Sequence, residues 1–166
     1  MAALPMYASP MSQLRQDILV RGVAQADYPE WRVLWDGYNA FYGRSGPTAL
    51  PEAVTAATWI RFFEPSEPVK ALVAERTGQV VGLAHYLFHR STNRLQHICY
   101  LQDLFTKQSE RGQGIGRRLI DSVYEAARIA GSSRVYWHTQ TTNLAARALY
   151  DKLATNSGFI VYTHEL

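Results

Sequence analysis

Three glycines alternate with larger side chains at positions 112, 114 and 116, directly before a stretch with the apolar periodicity of a helix. Because glycine has no Cβ atom, such a loop can adopt positive φ angles and lets a ligand approach its backbone. The free N–H groups and the dipole at a helix N-terminus attract phosphate groups. Arg111, Arg117 and Arg118 add positive charge there. The pattern predicts a phosphate cradle, with a ligand-free strand-to-helix turn as the alternative.

Two common phosphate-binding loops do not fit these residues. A Walker loop has Lys and then Ser or Thr after its last glycine, whereas Arg117 and Arg118 follow here. A dinucleotide fingerprint has its third glycine where Arg117 stands and an acidic residue near the end of the next strand, but residues 134–140 contain no acid. Both ligand classes are therefore disfavoured.

Three motifs, in order along the chain, resemble the GNAT superfamily of acetyltransferases. Residues 111–116 (Arg-Gly-Gln-Gly-Ile-Gly) match the family's R/Q-x-x-G-x-G/A loop. Residues 100–105 resemble the strand before that loop, and residues 143–150 resemble the N-x-x-A-x-x-x-Y helix. Residues 135–139 are similar to small members that acetylate histones or polyamines. The resemblance covers about residues 98–163 and implies a GNAT-like mixed α/β fold, acetyl-CoA as donor and a homodimer.

The resemblance also implies a donor site. Acetyl-CoA would lie between two parallel strands that splay apart, and its pantetheine arm would pair with the first of them. Its pyrophosphate would rest on the loop amides, and Asn143 would contact the arm or act as a helix N-cap, or both. The expected donor-binding residues are Leu104, Phe105, Thr106, Arg111, Gly112, Gln113, Gly114, Ile115, Gly116, Arg117, Asn143 and Ala146.

Acetyl transfer to an amine needs a proton acceptor for the attacking ammonium and stabilisation of the departing thiolate. Tyr150 matches the family's general acid, although a tyrosine on this helix face could instead be core. In the similar polyamine enzymes a glutamate stands at the position of Gln102, and glutamine is not a useful base. Asp103 and His138 are the remaining candidates, directly or through water. Strand alternation places Asp103 on the face opposite Gln102, and a lone strand histidine such as His138 is more often structural.

Elements that could position these residues follow from the periodicity. The expected order is β-α-α-β-β-β-α-β-α-β, with a right-handed parallel βαβ unit around the glycine loop. Strands are predicted at 19–23, 70–76, 79–89, 96–106, 134–138 and 158–162. Helices are predicted from Asp27 through the aromatic run that ends near Tyr42, and at 52–63, 114–130 and 143–153. We therefore expect a loose N-terminal segment over residues 1–14 and a single domain over residues 15–166.

Acceptor specificity is expected from the N-terminal half. Its first helix carries an aromatic face, which could wall an amine pocket through cation–π contacts or could simply be core. The residues concerned are Trp31, Trp35, Asp36, Tyr38, Tyr42 and, on the second helix, Trp59.

Composition narrows the remaining classes. A net charge of +3 without a basic block does not favour a nucleic-acid partner. The single cysteine, Cys99, allows neither an internal disulfide nor a multi-thiol metal site. No apolar run approaches the ~20 residues that span a bilayer, so we expect a cytoplasmic enzyme without a metal or a membrane partner. An acetyl-CoA-dependent N-acetyltransferase acting on a polyamine, an amino acid or a protein lysine is the main hypothesis, and a non-catalytic acyl-CoA sensor of the same fold is the alternative.

Overall fold

A computed structural model describes residues 18–166, and the predicted loose segment 1–14 lies outside them. One mixed sheet in the order β1-β2-β3-β4-β5 organises this part of the chain. The strands are β1 (Ile18–Gly22), β2 (Val69–Arg76), β3 (Gln79–His89), β4 (Ile98–Thr106) and β5 (Val135–Tyr136). The helices are α1 (Tyr28–Phe41), α2 (Glu52–Arg61), α3 (Ile115–Ile129) and α4 (Leu144–Tyr150). The predicted mixed α/β architecture is confirmed.

The β2–β3 hairpin forms where the sequence predicts it. Arg76 pairs with Gln79 across a two-residue turn, and both turn residues, Thr77 and Gly78, have positive φ angles of 50° and 77°. Such turns match the right-handed twist of antiparallel strands. The hairpin fixes the centre of the sheet, against which the helices pack.

Each face of the sheet carries its own apolar cluster. On one face α3 contributes Ile115, Leu119, Ile120 and Val123 to a cluster with strand residues that include Cys99 and Leu101. On the other face α1 and the end of α2 pack aromatic side chains against Val73 and Leu83. This arrangement is a sheet between helical layers, and the ends of β4 and β5 are left for a site.

Asp27, predicted to cap α1, has a different role. Its side chain makes no capping bond to α1 but accepts from Arg21 at 2.7 and 2.9 Å and from the Ala24 N–H at 2.7 Å. Asp27 therefore fastens the start of α1 to β1 and β2, since Arg21 also pairs with Glu75.

β4 and β5 are parallel but share a very short ladder. Cys99 pairs with Val135 and Tyr100 with Tyr136, after which β5 ends and β4 continues to Thr106. The predicted strand 134–138 is thus shorter than expected. Among the described residues, β4 from Leu101 onward has no strand partner on its β5 side.

The predicted last strand at 158–162 is wrong, because these residues form no strand. Phe159, Ile160, Val161 and Tyr162 are 62–87% exposed. Strand propensity expresses packing against neighbouring strands, and β5, with two residues, offers almost no ladder to extend. Their β-like composition therefore has no partner within the described chain.

A β-bulge interrupts β4 at Gln102. His85 pairs with Asp103 and Tyr86 with Leu101, so Gln102 has no partner on β3. A bulge re-aims the side chains that follow it. Leu101 accordingly lies in the α3-side cluster, whereas the His85 and Asp103 side chains bond each other among the aromatic rings of the α1 side. The bulge lies next to the point where β4 and β5 separate.

Candidate active site

The glycine loop between β4 and α3 has an open backbone. Gly112 and Gly114 have φ angles of 77° and 86°, in the left-handed region, and a Cβ at either position would meet nothing within 4 Å. The first helical backbone bond runs from the Arg118 N–H to the Gly114 carbonyl. The N–H groups of residues 112–117 donate to no backbone carbonyl of the described chain. This geometry suits a bound pyrophosphate.

Side chains around the loop hold it in place. Arg76 donates to Glu110 at 2.5 Å and also to the Gln113 side chain. The Arg111 Nε donates to the Thr106 carbonyl at 3.1 Å, and its guanidinium lies 5.5 Å from the Phe105 ring centre. Gln113 and Arg111 thus brace the loop against β2 and β4.

The other two arginines of the loop differ in role. Arg117 is exposed and pairs with Asp121 at 3.6 Å, so its side chain is free to move toward a phosphate. Arg118 donates to the Ile18 carbonyl at 2.8 Å, which ties α3 to β1. Of the two, Arg117 is the one placed to add mobile positive charge to the cradle.

Tyr150 and His138 line the same cavity, which opens where β4 and β5 diverge. Its lining is Tyr38, Tyr42, Leu101, Gln102, Leu104, Trp137, His138 and Tyr150. Tyr150 packs against Trp137 with 5.3 Å between ring centres. Burial, with a smaller contribution from Tyr42, raises the pKa of Tyr150 to about 12. Its phenol therefore keeps its proton far above neutral pH.

His138 and Gln102 are the exposed residues among those that line this cavity. Its Nδ1 lies 3.3 Å from the Tyr100 hydroxyl, and its ring lies 5.3 Å from the Tyr100 ring. A histidine held by one nitrogen keeps the other free to exchange protons with solvent or a substrate. The structure thus brings together two of the three predicted catalytic residues.

Asp103, the third, lines a neighbouring cavity and is buried against His85. The lining of this second cavity is Trp35, Thr58, Arg61, Phe62, Val69, His85, Tyr86, Leu87, Gln102 and Asp103. Gln102 lines both cavities, so strand alternation does not separate it fully from Asp103 as expected. The bulge is the reason.

A buried chain of hydrogen bonds fixes the Asp103 carboxylate. The Trp31 Nε1–H donates to His85 Nε2 at 2.9 Å. Since an indole nitrogen can only donate, His85 carries its proton on Nδ1, which lies 3.0 Å from Asp103 Oδ2. Burial raises the pKa of Tyr38, Tyr42 and Tyr100, and the Asp103 charge raises each further. Asp103 therefore acts electrostatically on the first cavity as well.

Comparison with known proteins identifies the architecture. A profile of the Acetyltransferase (GNAT) family matches residues 31–154. The chain belongs to the GNAT family of acetyltransferases. It is 32% identical over 155 residues to the D-amino-acid N-acetyltransferase HPA3 of Saccharomyces cerevisiae. The aligned region covers 92% of this chain and 94% of that protein.

Solved structures agree with this GNAT assignment at the level of the fold. AAC(6')-Iy, in complex with a bisubstrate analogue of CoA and acetylneamine, superposes with a TM-score of 0.76 at 16% identity, covering 90% of this chain and 97% of that one. A ribosomal-protein-alanine N-acetyltransferase from Brucella melitensis gives 0.71 at 17% identity, with 90% and 99% coverage. The protein is a GNAT-type N-acetyltransferase, and its family uses acetyl-CoA.

The last helix of this GNAT enzyme begins with a cap. The Asn143 side chain accepts from the Ala146 N–H at 3.4 Å and donates to the Thr139 hydroxyl at 3.3 Å. Asn143 is therefore the N-cap of α4, which was one of its two predicted roles. Its predicted contact with the donor, like that of Ala146, stays a prediction.

The aromatic face of α1 is mainly core. Trp31 is fully buried, and Trp35 and Tyr38 are buried, whereas Asp36 is exposed and pairs with Arg32 at 3.0 Å. Trp35 nevertheless lines the second cavity and Tyr38 the first. Trp35 and Tyr38 thus combine the two predicted roles, since each is buried in the core and also lines a cavity.

Sequence reasoning missed His85, Thr58 and Arg61. His85 reaches Asp103 only through the β3–β4 register, and the bulge in that register leaves no pattern in the sequence. Within residues 18–166 no group of acidic, histidine or cysteine side chains could hold a metal ion. No helix in that same range is long and apolar enough to cross a membrane.

Proposed function

We propose that this enzyme transfers the acetyl group of acetyl-CoA to a primary amine of a small molecule by direct attack. The observation that carries the proposal is the first cavity, which Tyr150 and His138 line together with Leu101, Gln102 and Leu104 of β4. A covalent acetyl-enzyme is not needed in this scheme. The buried Cys99, whose pKa is raised to about 12 by burial, is a poor nucleophile.

Three features of the chain support a donor site along β4. The backbone of Leu104, Phe105 and Thr106 has no strand partner on the β5 side, which favours pairing with the amide groups of a pantetheine arm. Within residues 18–166 the amides of residues 112–117 donate to no backbone carbonyl, which suits the pyrophosphate. Arg111 and Arg117 add positive charge near it. The donor so placed has its thioester next to Leu104, in the first cavity.

The residues of the two cavities divide the chemistry. In the reaction the amine nitrogen bonds to the acetyl carbon and the carbon–sulfur bond breaks. The ammonium loses two of its three protons: one leaves before attack, and the other leaves the tetrahedral intermediate and is balanced by protonation of the departing thiolate. We assign His138 as the group that takes a proton from the amine to solvent, because it lines the reaction cavity and is exposed. Asp103 holds the ammonium before it loses that proton. Tyr150 donates a hydrogen bond to the departing thiolate, since its pKa of about 12 keeps the phenol protonated.

The names of similar proteins support an amine acceptor without agreeing on one. They specify a D-amino acid, an aminoglycoside derivative and a ribosomal-protein alanine. What these have in common is an amine that receives an acetyl group. We therefore propose an amine as the reacting group. Which molecule bears this amine is inferred below from the lining of the second cavity.

Transfer can be tested with radiolabelled acetyl-CoA and a panel of amino acids, polyamines and a lysine peptide. We expect labelled product with at least one amine, and Tyr150→Phe to lower kcat. Arg128→Gln is the control, because the Arg128 side chain is 74% exposed and lines neither cavity. Tight acetyl-CoA binding without transfer to any amine would refute the proposal and select the sensor hypothesis.

We also propose that the enzyme is a homodimer that buries the C-terminal segment 159–162. Four consecutive apolar residues there are exposed, and such patches mark association surfaces. Light scattering should give twice the chain mass. Phe159→Ser with Val161→Ser should give the monomer, and a wild-type monomer would contradict the proposal.

A further inference from the structure

The second cavity carries opposite charges on its lining. Asp103 belongs to β4 and Arg61 to the last turn of α2. The cavity has a volume of about 110 Å³, room for several water molecules and hence for a small molecule. Gln102 lines this cavity and the first cavity alike, so a ligand held here would lie next to the proposed position of the acetyl group.

The acidic part of the cavity suits an ammonium group. His85 holds Asp103 through Oδ2 at 3.0 Å and is itself fixed by Trp31, so the carboxylate has a defined orientation. The rings of Trp35 and Phe62 line the same cavity and lie 5.2 and 4.7 Å from the ring of His85, which holds Asp103. A carboxylate with aromatic neighbours is a favourable environment for an alkylammonium ion.

The basic part suits a carboxylate. Thr58 and Arg61 are three residues apart on α2 and therefore lie on one helix face. The Thr58 hydroxyl bonds no group of the described chain. The only pairing of Arg61 within that range is a 3.8 Å contact from Nε to Glu67, and its side chain is 54% exposed. Its terminal nitrogens are thus available for the two-pronged contact that guanidinium groups make with carboxylates.

From this arrangement we infer that the second cavity binds the acceptor as a small amino carboxylate. Asp103 takes the ammonium, and Arg61 with Thr58 takes the carboxylate. The inference rests on the proposed function and names its substrate class. A polyamine is disfavoured, because its second ammonium would meet the Arg61 guanidinium and like charges repel.

The test compares three acceptors of similar size in wild type and in Arg61→Gln. Alanine carries the carboxylate, alaninamide replaces it with a neutral amide, and ethylamine lacks it. The variant-to-wild-type ratio of kcat/KM is taken for each acceptor, so that differences in amine basicity cancel. Arg128→Gln is the matched control, because Arg128 is 74% exposed and pairs only with Glu125 within the described chain.

We expect Arg61→Gln to lower kcat/KM for alanine by roughly 10- to 100-fold, the range for a charge-assisted hydrogen-bonded pair. The change should appear mainly in KM, since the contact is the same in ground and transition states. For alaninamide and ethylamine the ratio should stay within about twofold of unity. Thr58→Val should show the same selectivity with a smaller loss.

An equal effect of Arg61→Gln on all three acceptors, or no effect on alanine, overturns the inference and leaves the acetyltransferase proposal intact. If the wild-type enzyme transfers acetyl to other amines but to none of these three, the inference is also overturned and the acetyltransferase proposal is left intact. If wild type transfers acetyl to no amine at all, the proposed function itself fails.

Discussion

Replacement of Gly82 by alanine tests how tightly α3 and its preceding loop are set against the sheet. A Cβ on Gly82 would lie 3.0 Å from Ile115 Cγ2, 3.1 Å from Leu119 Cδ1 and 3.1 Å from the Phe105 carbonyl oxygen. Favourable contacts between carbon atoms are about 3.5–4.0 Å. Ile115 and Leu119 are 1% and 0% exposed, and the third neighbour is backbone, so none can yield freely.

The expected cost follows from these contacts. Adding a methyl group to a packed core costs about 1–3 kcal/mol, and the loss of glycine's freedom in the unfolded chain returns about 0.4–1 kcal/mol. The net loss in the free energy of unfolding is then between about 0 and 2.6 kcal/mol, with a midpoint of about 1.3 kcal/mol. At ~2–4 °C per kcal/mol for a chain of this size, the midpoint corresponds to a fall in Tm of about 3–5 °C. Because Ile115 directly follows Gly114, acetyl-CoA binding should weaken as well.

Thermal unfolding and acetyl-CoA titration calorimetry measure both effects. The matched control is Gly22→Ala, since a Cβ on Gly22 meets nothing within 4 Å and its φ is not in the left-handed region. This control should be neutral or slightly stabilising. A Gly82→Ala protein with wild-type Tm would refute the reasoning, and so would an equal loss in Gly22→Ala.

Three further predictions concern single interactions. Tyr150→Phe should lower kcat by about 10²-fold or more. Because the pKa of Tyr150 is about 12, the wild-type kcat should not fall through ionisation of this phenol at any pH up to ~10.5. A fall in kcat near pH 9 that is absent in the variant would contradict this. Asp27→Asn should reduce the free energy of unfolding by about 2 kcal/mol at pH 7. The side-chain bond from Arg21 lowers the pKa of Asp27. In urea titrations the difference in the free energy of unfolding from wild type should therefore be full above the ordinary value of about 4 and shrink as the pH falls through the lower folded value. A difference that does not shrink as the pH falls below about 4 would be inconsistent. Arg76→Gln should raise the Kd for acetyl-CoA by about 3- to 10-fold through loss of the brace to Glu110, with Arg128→Gln unchanged in the same calorimetry; equal affinities would show that the loop needs no brace.

Much of the fold was predictable because its signals are local. Thr77 and Gly78 mark the hairpin, and the alternation of glycine from 112 to 116 before an amphipathic helix marks the loop. Both depend on φ angles that neighbouring residues alone determine. The backbone geometry of the loop was therefore accessible from sequence, and its contacts with the donor stay a prediction.

The proposed acceptor side depends on pairings distant in sequence. His85 meets Asp103 across a register that contains a bulge, and nothing local to Gln102 indicates that bulge. Arg61 joins the cavity only because α2 packs on that face. The prediction of a strand at 158–162 was wrong because its β-like residues have no neighbouring strand in the described chain.

The short ladder between β4 and β5 has a consequence for how the molecule opens. Two residue pairs join residues 135–166 to the strand ladder of the sheet. Contacts such as that from the Tyr124 hydroxyl to the Leu153 carbonyl at 3.2 Å add to them. Such a region separates from its neighbours at a lower free energy than the central strands do. A donor lying along β4 would act as a temporary strand between the two parts. Bound acetyl-CoA would thus raise the protease resistance of this region in addition to serving as the substrate of the reaction.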